Sequence, residues 1–265
     1  MRVFFHERFH DAYAADPAAA PGRIAAVVRA LRGRVDFVAA APAAEADILA
    51  VHEPAHVEEV RRQGIYDIAA LAAGGAVQAA ELGLREPCFA LIRPPGHHAS
   101  AGSAWGFCYF NNMAIALERL HRRGAIANAF VLDFDLHFGD GTVNTLGGKG
   151  YATLFNPSSP ERAAYLASVE EHLAAKAWDI IGVSAGFDNH VDDWGGLLAT
   201  EDYRAMGRLV RRAALRSGGG CFAILEGGYN HQVLGGNVLA FIEGMEEGEP
   251  DAGRPAGVHG EPRGG

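Results

Sequence analysis

Apolar residues fall in short runs, separated by longer stretches in which they recur every three or four positions. The short runs, at 3–5, 35–39, 48–51, 88–92, 129–133, 152–155, 180–184 and 222–225, predict buried strands. A strand covered on both faces is apolar throughout rather than alternating, as in parallel sheets. Between them, 66–84, 112–123, 160–177 and 201–217 carry the 3.6-residue period of amphipathic helices. Thr200 is placed to cap the start of the last, and the glycines at 218–220 to stop it. Strand and helix alternate. The pattern therefore predicts an α/β fold: a single domain with a mostly parallel central sheet of about eight strands, covered by helices on both faces. That domain is assigned to 1–247, and 248–265, rich in Gly and Pro without periodicity, to a disordered tail.

Polar clusters follow four of the runs: Arg93 to His98, Asp133 to Asp140, Asp188 to His190, and Glu226 to Asn230. Ligands in open α/β sheets gather at the carboxyl ends of strands, so these clusters point to one composite site. The most informative is Asp133-Phe-Asp135-Leu-His137, where period two puts two carboxylates and an imidazole on one strand face. Burying them is costly unless a cation joins them, and a divalent metal is the economical solution. Asp and His suit zinc, although such a set also accepts iron(II) or cobalt. Fewer than four protein ligands leave a position for a water to be activated.

Composition narrows the function classes. A formal net charge of −9 argues against nucleic acid as a partner and permits attraction of cationic substrates. No apolar stretch approaches a membrane span and the start lacks a signal-peptide core, so the expected location is cytoplasmic, away from membranes. The cysteines, Cys88, Cys108 and Cys221, number 3 and form no Cys-x-x-Cys pair. They read as reduced thiols, not as metal ligands.

His97 and His98 follow the rigid turn Arg93-Pro94-Pro95-Gly96 and are candidates for general acid/base work. Asp188 follows a strand and is a candidate third metal ligand. In Glu226-Gly227-Gly228-Tyr229, the paired glycines allow a tight backbone that presents Tyr229. Alone, each of these reads as an ordinary turn or loop residue.

Taken in order, five segments resemble the histone deacetylase superfamily, of arginase/deacetylase fold, in its bacterial, class II-like and acetylpolyamine amidohydrolase branch. They are Arg93–Ala99, Gly106–Asn111, Asp133–His137 with Gly139–Thr142, Ser184–Asp188 and Leu225–Asn230. The resemblance implies a metal-dependent hydrolase of linear amides that removes an acetyl or other short acyl group from an acylated amine. It implies Asp135, His137 and Asp188 as zinc ligands and His97 and His98 as tandem catalytic histidines, with His98 the general base and acid. Asp133 would pair with His97, and Asp140 with His98. Tyr229 would hydrogen-bond the substrate carbonyl, Phe107 would wall the acyl channel and Gly106 would contribute backbone beside the substrate. Arg23 aligns loosely with an arginine near an internal cavity, and a structural potassium ion is implied near Asp133.

The chain also departs from the family. Phe138 replaces a common second histidine, and the excursion between Asp140 and Asp188 is short, lacking a Pro-Gly-Thr-Gly turn and the aromatic partner of Phe107. A shallow, open site is the consequence expected. Trp194 stands nearest the acidic gatekeeper of polyamine-selective relatives, as a substrate contact, with Asp192 and Asp193 beside it. The expected partner is an acetylated amine, either acetyl-lysine in a protein or peptide or an acetylpolyamine, and homo-oligomerisation is left open. Two alternatives stand: an amidohydrolase of a different, bulkier amide, and a protein that binds acyl-amines without turnover.

Overall fold

The apolar runs of the sequence become the strands of a computed structural model, which describes residues 1–247. The tail assignment of 248–265 lies outside the described residues. Seven strands form one sheet: β1 (Arg2–Phe5), β2 (Asp36–Ala39), β3 (Cys88–Ala90), β4 (Ala129–Asp133), β5 (Ala152–Phe155), β6 (Ile180–Ala185) and β7 (Gly220–Leu225). Their order is β2-β1-β3-β7-β6-β4-β5 and every neighbouring pair is parallel. The central strands β3, β4, β6 and β7 are buried at every residue, which is why their sequences are uninterrupted apolar runs.

The eighth expected strand, 48–51, does not form. Residues Glu45–Ile48 are a helical turn, and His52 N bonds Ile48 O at 2.9 Å. Ile48 and Val51 are buried while Leu49 is 41% exposed, so this run buries positions three apart. Its spacing fits a helical turn as well as a strand, and four residues are too few for periodicity alone to decide.

In chain order the helices are α1 (Arg23–Leu31), α2 (Glu45–Ile48), α3 (Pro54–Arg62), α4 (Tyr66–Gly83), α5 (Asn112–Arg122), α6 (Asp140–Leu146), α7 (Arg162–Ala174), α8 (Thr200–Ser217) and α9 (Leu234–Glu246). Helices α4 and α5 pack together against the sheet, and α1, α7, α8 and α9 form the other packed group. Helix α8 starts at Thr200 itself. Its capping side chain is Asp202, whose Oδ2 accepts from Ala199 N at 2.8 Å, while Thr200 Oγ1 donates to Asn237 Oδ1 at 2.7 Å. Gly218 ends the helix in the left-handed conformation, with φ of 63°.

One consequence of this topology positions the site. Strands β3, β7, β6 and β4 lie side by side, so the loops leaving their carboxyl ends converge on one edge. Those loops carry the four polar clusters of the sequence. No helix among the described residues is long and apolar enough to cross a membrane.

Candidate active site

The loop after β4 is built by its own carboxylates. Asp133 Oδ1 accepts from Asp135 N at 3.2 Å, and Asp135 Oδ1 accepts from His137 N at 3.0 Å. Each aspartate bonds the backbone two residues on, a turn that ends the strand at Asp133. The simple period-two picture therefore stops there, and Asp133 does not join Asp135 and His137 around one ion. Asp188, from the loop after β6, takes that place: the donor atoms of Asp135, His137 and Asp188 lie within 4.8 Å of one another.

The donors of this trio are aimed by backbone N–H groups. Asp135 Oδ2 accepts from Gly227 N at 2.8 Å, and Asp188 Oδ1 accepts from Leu136 N at 3.0 Å. Asp188 Oδ2 is fully buried and has no hydrogen-bond partner among the described residues. It lies 3.1 Å from His137 Nδ1, which is also 3.2 Å from Asp135 Oδ1. A buried oxygen without a donor, facing a ring nitrogen and a second carboxylate, is what a divalent cation completes. The set of two carboxylate oxygens and one imidazole nitrogen suits zinc and similar borderline ions. Electrostatics agree. Burial, and then the charge of Asp135, push Asp188 up to about 6, whereas the neighbouring carboxylates of Asp135 and then Asp188 pull His137 up to about 10.

The chain comes close enough for this only where a side chain is missing. A Cβ on Gly186 would lie 2.0 Å from Asp135 Oδ2 and 2.5 Å from its Cα. Gly186→Ala is expected to push Asp135 out of the trio and weaken zinc binding by more than about 10-fold, the lower end of losing a ligand's support. Competition titration with a zinc-sensitive dye checks this, with circular dichroism confirming that the fold is retained.

The loop after β3 supplies the two histidines. His97 Nδ1 lies 3.1 Å from Asp133 Oδ2, and His97 Nε2 lies 3.8 Å from Asp135 Oδ1. Burial opposes its charge, but Asp135 and Asp133 outweigh burial and raise its pKa well above that of free histidine. His98 behaves oppositely. Burial, and then the charge of His97, lower it to about 4. Its Nδ1 lies 2.7 Å from Asp140 Oδ1, at the first residue of α6. A carboxylate can only accept, so Nδ1 carries the proton and the Nε2 lone pair is free to act as a base.

Three residues that support this arrangement were invisible as such in the sequence. Glu226, at the end of β7, is fully buried, and its Oε2 accepts from Gly96 N at 2.7 Å and His97 N at 3.3 Å, tying down the histidine loop. Asp193 Oδ2 accepts from both Tyr229 N and Asn230 N at 2.8 Å. That carboxylate fixes the backbone of Tyr229. Trp105 stacks on His98 with ring centroids 3.8 Å apart. Only Glu226 had a signal, its place in Leu225–Asn230; a lone Asp or Trp in a loop has none.

The remaining expected residues converge on the same edge. Tyr229 is half-buried, with Phe107 edge-on at 6.0 Å and Trp194 stacked at 4.0 Å. Trp194 also meets the His137 ring edge-on at 6.0 Å. Gly106 and Phe107 both take left-handed backbone, with φ of 59° and 67°. A Cβ on Gly106 would lie 2.3 Å from His98 Cδ2, so only glycine fits there. Arg23 is fully buried, donating from Nε to Gly228 O at 2.8 Å and from Nη2 to Glu226 O at 2.5 Å. Phe138 is 60% exposed and lines a cleft of about 450 Å³ that also reaches Asp135. A second cleft, of about 620 Å³, is lined by Trp105, Gly106 and Phe107.

Known proteins resemble this chain over most of its length. The pattern described as histone deacetylase domain matches residues 18–149. A probable deacetylase of Methanothermobacter thermautotrophicus is 33% identical over 89% of this chain and 88% of its own length. The chain belongs to the histone deacetylase superfamily. A histone deacetylase-like amidohydrolase of Pseudomonas aeruginosa is 30% identical, over 82% of this chain and 72% of its own. Among solved structures, the HDA15 HD domain superposes with a TM-score of 0.77 at 25% identity, covering 91% of this chain and 88% of that one. The alignment to the archaeal deacetylase runs over 297 positions although it covers only 89% of this 265-residue chain. That member of the superfamily therefore carries inserted segments that this chain lacks. As a member, the chain is a hydrolase of the deacetylase type acting on amides.

Proposed function

We propose that this protein is a zinc-dependent deacylase that removes an acetyl or other short acyl group from an acylated amine. The observation that carries the reading is the trio of Asp135, His137 and Asp188, its two carboxylates buried and Asp188 Oδ2 without a hydrogen-bond partner among the described residues, set beside two histidines that each face an aspartate. Asp135, His137 and Asp188 would hold the metal. When bound, zinc supplies Lewis acidity toward a carbonyl and a water acidic enough to attack near neutral pH.

The chain's own residues do the rest. His98 is neutral, with the Nε2 lone pair free, and removes the proton of the attacking water. Asp140 holds the other nitrogen of that ring and stabilises the cation formed on it. His97, held by Asp133 at 3.1 Å from Nδ1, stands beside the tetrahedral stage as a second imidazole. His98 then returns its proton to the leaving amine. The Tyr229 hydroxyl keeps its proton, because burial and then the Asp135 charge raise its pKa far above that of free tyrosine. It is therefore a donor to the substrate carbonyl, in the manner of an oxyanion hole. The products are a short carboxylic acid and a free amine.

Substrate shape follows from the rim. Trp105, Phe138 and Trp194 are 55%, 60% and 52% exposed, and Trp194 supplies an aromatic wall beside Tyr229 where the shortened excursion leaves none. Clefts of about 620 and 450 Å³ are lined by Trp105 and Phe107, and by Asp135 and Phe138. This openness favours acyl-lysine in a peptide, or a bulkier amide, over a slim acetylpolyamine enclosed in a channel. The potassium expectation attaches to Asp133, whose register partner Ser184 has a buried Oγ without a hydrogen-bond partner among the described residues.

Activity against pH tests the acid/base assignment. His98 must be neutral to act, and burial and the His97 charge lower its pKa to about 4. A bound cation acts in the same direction. The acid limb of kcat/KM is expected well below the free-histidine value of about 6.5. An acid limb at or above that value would remove His98 as the base.

A further inference from the structure

Trp105 is an exposed aromatic whose best contacts are all with one catalytic pair. Its ring lies 3.8 Å from that of His98 at an interplanar angle of 30°. Its Nε1 donates to Asp140 Oδ2 at 2.9 Å, while Asp140 Oδ1 faces His98 Nδ1 at 2.7 Å. The two oxygens of Asp140 are thus divided, one to the histidine and one to the indole, and the three side chains close a triangle. With 55% of its surface in water, Trp105 is not a core residue. The next two residues continue the wrap. Gly106 and Phe107 both turn through left-handed backbone, and Gly106 leaves no room for a side chain against His98.

We propose that Trp105 is a positioning residue that holds the His98–Asp140 pair in its working orientation. The inference rests on the reading of His98 as the general base. It assigns a role to a residue outside the five motif segments. The indole does two things at once. Its face covers one side of the imidazole, so the ring cannot swing toward solvent. Its N–H occupies the Asp140 oxygen that would otherwise compete for His98 Nδ1–H, so one carboxylate orientation and one histidine tautomer persist. Support of this kind commonly changes activity by about 10–100-fold when removed.

The test uses the zinc-loaded full chain with an acetyl-lysine peptide, and the zinc-free chain for 15N spectra of the histidine rings. Trp105→Ala is expected to lower kcat by about 10–100-fold with KM changed by less than about 3-fold. Trp105→Phe, which keeps the stacked face but not the N–H, should fall between. In the spectra, wild-type His98 should show a single tautomer with Nδ1 protonated, and Trp105→Ala a mixture of both. Circular dichroism checks that each variant is folded. A rise in KM alone would make Trp105 a substrate wall, and the proposal would be wrong. So would an unchanged tautomer in Trp105→Ala, a result that does not depend on turnover. If instead His98→Ala kept wild-type activity, the failure would lie with the assignment of the base and not with the clamp.

Discussion

Replacing Asp188 by alanine is expected to abolish both turnover and the response of the fold to zinc. Asp188 Oδ2 is buried without a hydrogen-bond partner among the described residues, and the backbone N–H of Leu136 already takes its companion. Removing it leaves Asp135 and His137 alone, and two donors hold zinc far more weakly than three. A ligand that binds only the folded state stabilises it by about 4 kcal/mol at a thousandfold excess over its Kd. For a domain of this size that is a rise in Tm of roughly 10 °C. Wild type should show that rise on adding zinc, and Asp188→Ala should show almost none, its activity matching chelated wild type. Differential scanning calorimetry with and without zinc measures both states. A variant still stabilised by zinc to the same degree would place the metal elsewhere.

The second large effect separates chemistry from metal binding. His98→Ala should lower kcat by about 10²–10⁴-fold, the usual worth of a general base. Tyr229→Phe should lower it by about 10²–10³-fold, the worth of one donor to a developing oxyanion. Neither residue belongs to the metal-binding trio, so the zinc-induced rise in Tm should persist in both. The two losses need not add, because both groups act on one transition state. Single-turnover kinetics on acetyl-lysine peptide, beside calorimetry, reads the two properties independently. Full activity in either variant would remove that residue from the mechanism.

Much of this architecture was legible in the chain. Completely buried strands read as unbroken apolar runs, so β3, β4, β6 and β7, which carry the site, were the easiest to find. The short run at 48–51 misled because four apolar residues satisfy a strand and a helical turn alike. The tandem histidines and the clustered acids stood out because buried charge demands an explanation. What the sequence hid was geometry across distant segments. Asp193 holds the backbone of Tyr229, and that contact depends on how the loops after β6 and β7 meet. Trp105 gave no signal, since its partners His98 and Asp140 come from the loop after β3 and the start of α6. Trp194 followed the same rule, reaching Tyr229 from a different loop.

The central claim is metal-dependent release of an amine from an acylated amine. The direct measurement is amine release from acetyl-lysine peptides, acetylated putrescine and spermidine, and longer acyl-lysines, each with zinc and with a chelator. Acyl-lysine peptides should release amine in a reaction that the chelator stops and added zinc restores. Release that persists undiminished under the chelator, at the zinc-loaded rate, would contradict the claim.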